Sequence, residues 1–251
     1  MQLNGKIALV TGATTGIGRA TAERFFEQGA AGLIITGQDE ARLEEARAAL
    51  AGRGRVAAVR WRAEEPADAG LVADAVRSNF GRVDVVFANA GVTWPAPLGD
   101  IDAVSAQKQM MVNVTGPLIL IQSLVPLMSE GASIVLTTSC LDVLGMPGMA
   151  VYSASKAALR SLARTLSAEL KDRDIRVNAV APGPIDTPIY SKLGMSEEQL
   201  NEMAQGIVGK VPAGRFGQPD DVAGVVAFLA SDASRYMLGE EVNVDGGWAS
   251  L

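Results

Sequence analysis

Short apolar runs recur at residues 6–11, 32–36, 55–61, 83–88, 133–138, 175–180 and 241–244, with helix-patterned segments between them. Strands separated in this way cannot fold back as hairpins. Each returns through a crossover of a dozen residues or more, which brings the next strand in parallel. The pattern predicts an α/β fold, a doubly wound parallel sheet with helices on both faces. The run 83–88 reads as a strand buried on both sides. Right-handed crossovers place the strand ends on one edge, and ligands of such sheets bind outside the carboxyl ends where strand order reverses. Helices are expected over 19–28, 41–50, 66–80 with Pro66 in its first turn, 154–170, around 197–207 and over 219–229. A long helical region over 101–128 should break near Gly116-Pro117 and Pro126. No repeat, linker or low-complexity tract intervenes, so residues 1–251 read as one domain.

The first strand leads into Thr11-Gly12-Ala-Thr14-Thr15-Gly16-Ile17-Gly18 and then a helix. Glycines let the backbone approach a pyrophosphate, and a helix N-terminus presents free N–H groups and a partial positive charge. The spacing is GxxxGxG and differs from the commoner GxGxxG dinucleotide fingerprint. Four more segments follow strands and should converge with this loop: Gly37-Gln38, Asn89-Ala90-Gly91, Ser139, and the stretch from Pro182 to Thr187.

The chemistry centres on Tyr152-Ser-Ala-Ser-Lys156. If the helix at 154–170 already covers Tyr152, then Tyr152 and Lys156 lie four residues apart on one face. A phenol has a reference pKa of about 10. A cation held about 4–6 Å away can lower that by about 1–3 units, toward the range useful in general acid–base catalysis. Ser139 ends a strand and offers a hydroxyl to the same substrate oxygen. On its own such a YxxxK pair is an ordinary helix pattern; the motifs around it give it weight.

Composition excludes several alternatives. There is no histidine, which removes Ser-His-Asp and Cys-His nucleophilic chemistry and argues against a catalytic zinc site; no metal is expected. The formal net charge is −6 with no basic run, so neither nucleic acid nor an anionic membrane is an expected partner. The apolar run 117–128 is too short and interrupted to span a bilayer. The single cysteine, Cys140, precludes an internal disulfide, reads as a small buried thiol and fits a reducing cytoplasm. The N-terminal residues enter a strand directly and show no signal-peptide pattern, again pointing to a cytoplasmic location.

Taken in order and spacing, these motifs resemble the short-chain dehydrogenase/reductase family across essentially the whole chain. The resemblance rests on TGxxxGIG at 11–18, the Asn89-Ala90-Gly91 motif, Asn113, Ser139, Tyr152-x-x-x-Lys156, Pro182-Gly183 with Thr187, and Val244-Asp-Gly-Gly. It implies a seven-stranded Rossmann-type sheet and reversible hydride transfer between a nicotinamide and a carbonyl or alcohol. It further implies that Tyr152 is the general acid in reduction and general base in oxidation. Lys156 would lower its pKa and hold the nicotinamide ribose, and Ser139 would polarise the substrate oxygen. Asn113 would anchor a water in the proton relay, or bond locally as a polar helix residue. Gly12, Thr14, Thr15, Gly16, Ile17 and Gly18 would cradle the cofactor. Asn89 reads equally well as structural, with Ala90-Gly91 leaving room. Pro182-Gly183, Ile185 and Thr187 would border the nicotinamide, the last two holding its carboxamide.

The chain also departs from the family pattern. Gly37 stands where an acidic residue often binds the ribose 2′-OH of NAD, and neither Gln38 nor Thr15 is the basic residue common in NADP users. A 2′-phosphate needs a cation to offset its desolvation, and Asp39 would repel it, so NAD(H) is favoured over NADP(H). Arg62 replaces an aspartate that commonly faces the adenine; it would stack on the ring, reach a 2′-phosphate, or stay solvated.

Trp94, Leu141, Val143, Met146, Met149, Pro184, Ile189, Tyr190, Leu193 and Met195 should face the substrate. Most are apolar, which predicts a neutral, hydrophobic ketone or secondary alcohol. Residues 188–211 read as a lid. The helix from Ser153 and the apolar end 242–251 resemble surfaces through which the family forms tetramers, so a homo-oligomer is expected. The rival readings are a 3-oxoacyl-thioester reductase and a dinucleotide-sensing protein without chemistry.

Overall fold

The computed structural model describes residues 2–188 and 196–251. Its sheet has seven parallel strands: β1 (Ile7–Val10), β2 (Gly32–Gly37), β3 (Arg55–Arg60), β4 (Val83–Ala88), β5 (Met128–Thr137), β6 (Arg176–Pro182) and β7 (Glu241–Val244). The spatial order is β3-β2-β1-β4-β5-β6-β7, so the order reverses between β1 and β4. That is the position at which a doubly wound sheet opens a crevice at its carboxyl edge.

Strand pleat explains the two cores. Along β4, Val86 and Ala88 point to one side, while Val85 and Phe87 point to the other. The first side packs α3 (Asp68–Asn79), α5 (Gly116–Leu124) and α6 (Ala150–Leu170) through Val72, Leu120 and Leu159. The second packs α1 (Gly16–Glu27), α2 (Glu40–Ala51) and α8 (Pro219–Ala230) through Phe25, Leu43 and Val226. Each fully buried side chain such as Phe87 or Ile34 contributes about 1.5–3 kcal/mol of transfer free energy. Local signals set the helix starts. Asp39 caps α2 by accepting from Arg42 N–H at 2.9 Å, and Ser196 with Gln199 forms a capping box for α7 (Glu197–Val208).

Several boundaries differ from the sequence expectation: β5 begins five residues early, at Met128, and α6 four residues early, at Ala150. Helix α1 starts at Gly16, so the last glycines of the loop form its first turn. Pro66 lies two residues ahead of α3, in the turn that enters it. The break in 101–128 falls earlier than Gly116-Pro117. Helix α4 (Ala103–Met110) passes into a π-helical turn, Met111–Thr115, before α5. Pro117 sits in the first turn of α5, where its missing N–H has no partner to lose. The second expected break, at Pro126, is a 3₁₀ turn over Val125–Leu127. The stretch Ala103–Leu127 is long and apolar enough to cross a membrane, yet it carries this π turn and buries Leu120, Ile121 and Leu124 in the core.

Candidate active site

The glycine loop is shaped by contacts that no side chain could share. Gly12 and Gly16 adopt left-handed φ of 65° and 54°, and a Cβ on Gly18 would collide with the Gly12 carbonyl. Thr15 is the N-cap of α1 but makes no side-chain cap bond, and the first turn holds no acidic residue. The N–H groups of Gly16, Ile17 and Gly18 precede the first helical bond, from Arg19 N–H to Thr15 O at 3.3 Å, and so remain open to an anion. Around this loop the other post-strand segments close in. The Thr187 methyl would lie 3.1 Å from a Cβ on Gly16, and the Thr14 methyl 2.7 Å from one on Gly37. These are the features a dinucleotide requires, and the residues fit one.

Asn89 has a structural role. Its Nδ2 donates to Thr11 O at 3.1 Å, while the Thr11 hydroxyl accepts from both Asn89 and Ala90 N–H at 2.9 Å. These bonds lock β1 to β4 at the switch point. Ile185 is buried in the core and bridges Gly217, leaving its main chain to face a ligand. Gly183 is packed against Asp245, where a Cβ would come within 2.6 Å of its Cα.

Helix α6 does cover Tyr152, and it carries Lys156 one turn on. Lys156 is 4% exposed; its Nζ donates to Thr137 O at 2.7 Å and lies 5.6 Å from the Tyr152 ring centroid. Among the described residues its other two N–H donors have no hydrogen-bond partner, and Gly91 leaves the space beside them. Burial pushes the ammonium down to about 8, and the Asp142 carboxylate opposes that shift. The Tyr152 phenol is pushed up to about 12 by burial, against a side-chain hydrogen bond with Ser139. The net shift of the phenol is thus upward, whereas the sequence reading expected Lys156 to lower it. The ammonium lies over the ring and gives one of its three N–H bonds to Thr137 O, and burial of the phenol outweighs its effect.

Ser139 is buried beside Tyr152, its Oγ accepting from Leu141 N–H at 3.2 Å. Asn113 sits on the π turn and is a strut: Oδ1 accepts from Val92 N–H at 2.8 Å, and Nδ2 donates to Val92 O at 2.9 Å and Ser155 Oγ at 3.0 Å. Ser155 in turn donates to Tyr152 O at 2.6 Å. Asn113 thus joins the loop after β4 to the helix that carries Tyr152, across distances in sequence that exclude a merely local bond. Cys140 is buried, its thiol pushed up to about 12 by burial and then by Asp245, so it is no nucleophile.

At the far end of the cleft Gln38 is exposed and donates to Glu64 Oε2 at 3.3 Å. Arg62 is neither stacked nor free. Its fork grips Asp68, Nε to Oδ2 at 2.9 Å and Nη2 to Oδ1 at 3.2 Å. On the substrate side Leu141 is buried, Met146 and Met149 are partly buried, and Trp94 and Val143 are exposed, while Pro184 is buried against Gly217. Ile189, Tyr190, Leu193 and Met195 lie outside the described residues. Sequence reasoning assigned no role to Thr11, which stands inside the quoted glycine motif, or to Ser155, inside Tyr152-x-x-x-Lys156. It also missed Asp142, a half-buried residue whose carboxylate oxygens are shielded, for which the sequence carries no signal.

A nucleotide cradle at the switch point, joined to a Ser-Tyr-Lys cluster, defines a nicotinamide-dependent oxidoreductase. The family model described as "Enoyl-(Acyl carrier protein) reductase" matches residues 12–249. "Oxidoreductase asL5" of Sarocladium schorii is 41% identical over 252 residues, spanning 100% of this chain and 98% of that one. The "NADP-dependent (R)-specific alcohol dehydrogenase" of Lentilactobacillus kefiri is 35% identical, over 99% of this chain and 98% of its own length. The crystal structure of levodione reductase superposes with a TM-score of 0.93 at 29% identity, covering 99% of both chains. The chain belongs to the short-chain dehydrogenase/reductase family. It is an NAD(P)-dependent enzyme that interconverts ketones and secondary alcohols.

Proposed function

We propose that Tyr152, Lys156, Ser139 and Asn113 carry this reaction, on the observation that the buried Lys156 ammonium lies one helical turn from Tyr152, 5.6 Å from its ring centroid, with the buried Ser139 hydroxyl favouring the phenolate. The nicotinamide supplies or accepts the hydride when bound. In reduction the phenol, which holds its proton at neutral pH, gives it to the carbonyl oxygen. Ser139 donates a hydrogen bond to the same oxygen, and the Lys156 charge stabilises the phenolate left behind. In oxidation the phenolate takes the alcohol proton, and Lys156 must be charged for it to form. The two unused Lys156 N–H groups suit ribose hydroxyls. Both N–H bonds of the Asn113 amide are taken, so its side chain has no donor left for a relay water.

NADH is the proposed cofactor. The guanidinium best placed for a 2′-phosphate is held by Asp68, Arg60 pairs with Glu40 at 3.3 Å, and Glu64 faces Gln38. A phosphate there would have to displace carboxylates from their partners. The relative from Lentilactobacillus kefiri is by its name NADP-dependent, the opposite preference. The expected result is a catalytic efficiency at least about tenfold higher with NADH than with NADPH, read from initial rates. A tenfold preference for NADPH would overturn the proposal.

The apolar wall of Leu141, Val143, Met146, Met149 and Trp94 supports a neutral, hydrophobic ketone or alcohol, and residues 188–211, of which 189–195 lie outside the described residues, would serve as the lid. A homotetramer is proposed as well. Its support is an apolar concavity of about 670 Å³ on the outer face of α4 and α6, lined by Ala106, Met110, Met111, Val151 and Ala154, together with exposed Tyr236, Leu238 and Leu251. Light scattering should give four times the 26.1 kDa chain mass. A monomer at micromolar concentration would sink that proposal.

A further inference from the structure

Two carboxyl groups face each other behind the Ser139–Tyr152 wall. Asp142 follows Ser139 on a 3₁₀ turn, Cys140–Asp142, and Glu241 opens β7. Both Asp142 oxygens and Glu241 Oε1 are shielded from solvent and find no hydrogen-bond donor among the described residues. The Thr138 hydroxyl opposes the rise of Glu241, but its one proton goes to Val180 O at 3.0 Å. Arg160 Nε reaches only the other oxygen, Glu241 Oε2, at 3.0 Å. Buried acceptors facing one another without a donor are costly when both groups are ionised. One proton between them turns two orphaned acceptors into an O–H···O bond. The remaining charges at this wall are Lys156 and Arg160 on α6 and Asp245 beyond β7. The Cys140 thiol and Tyr152 phenol beside it are neutral.

We propose that Asp142 is a positioning residue for the reaction: it shares a proton with Glu241 and turns its negative charge toward Lys156, keeping that ammonium charged where burial opposes it. This rests on the assignment of Lys156 and Tyr152 made above. The Asp142 carboxylate is the charge that raises Lys156 against desolvation. Glu241 is raised to about 7, by burial first and by Asp142 among the lesser causes. Below that pH Glu241 holds its proton and above it Glu241 releases it. The Asp142 charge faces Lys156 as that ammonium begins to lose its proton near 8, and holds the proton on to higher pH. Neither residue touches the reacting atoms; both act through Lys156.

The full-length enzyme tests this with two variants and two readouts. In Asp142→Asn the alkaline limb of the turnover–pH profile should move down by about one pH unit, with a larger loss at pH 8.5 than at pH 6. In Glu241→Gln the limb should stay in place, because Asp142 keeps its charge and gains a donor. The thermal readout is independent of activity. An acid raised in the folded state stabilises fully below its unfolded value near 4.5, and that contribution is lost as pH rises through 7. Wild type should therefore lose ground to Glu241→Gln between pH 5 and pH 8, by about 3 °C in Tm or more. A Tm difference flat with pH would remove the shared proton. A limb unmoved in Asp142→Asn, or an equal loss at every pH, would remove the link to Lys156. If Tyr152→Phe stays active, the site assignment itself has failed. If it is inactive and the Asp142→Asn limb stays put, only this inference falls.

Discussion

Tyr152→Phe should lower turnover about 10³-fold while leaving dinucleotide affinity within about threefold of wild type. The substitution removes one oxygen from a side chain fixed by α6, so the fold and the glycine cradle are undisturbed. What is lost is the proton the phenol carries to the substrate oxygen. Ser139 cannot replace it, since a hydroxyl polarises the carbonyl but does not ionise near neutral pH. Initial rates at saturating substrate, with dinucleotide binding followed by fluorescence, separate the two quantities. Loss of binding in step with turnover would mean that the phenol anchors the cofactor and leaves the proton transfer to another group. Turnover kept within tenfold would remove Tyr152 from the chemistry.

Lys156→Met should separate activity from stability. The ammonium is buried and pushed down to about 8, so at pH 7 it burdens the fold. The sign follows from linkage: a lysine depressed in the folded state adds stability only above its unfolded value, and loses it as pH falls through 8. The burden at neutral pH is on the order of 3 kcal/mol, partly offset by the charged hydrogen bond to Thr137 O. Methionine fills similar volume without charge. The variant should therefore melt at or above the wild-type Tm at pH 7, with the gap narrowing from pH 8 toward 10.5. Turnover should fall at least about 100-fold and dinucleotide binding about tenfold, because the phenolate loses its cation and the ribose its donors. A variant that melts well below wild type while turning over normally would show that the lysine is a scaffold group.

Much of this was legible in the residues. Alternation of β-branched runs with helical segments determined a parallel sheet, and the bounds of β4 and β7 were read without error, because strand periodicity is short and turn residues flank it. The helix over 101–128 was misread at its break. Proline marks a kink only inside a helix, and Pro117 stands at the start of one, whereas the π turn at Met111–Thr115 leaves no composition signature. The Tyr152–Lys156 spacing was visible, but its electrostatics were not. Spacing gives proximity, while the sign of a shift depends on how much water the fold removes. Arg62 illustrates the same limit. Its identity allowed three roles, and only the fold shows Asp68, six residues on, filling its fork. Asp142 and Glu241 lie far apart in sequence and meet only because β7 pairs with β6 beside the loop after β5.

The most direct measurement is oxidation of NADH and NADPH by the purified full-length protein across a panel of neutral ketones, with an acyl thioester and Tyr152→Phe alongside. The expected result is rapid NADH oxidation with apolar ketones, stoichiometric alcohol formation and almost none of either in Tyr152→Phe. Dinucleotide binding without turnover of any substrate, identical in wild type and Tyr152→Phe, would contradict the account. Turnover confined to the thioester would leave the catalytic cluster standing and overturn the proposed substrate.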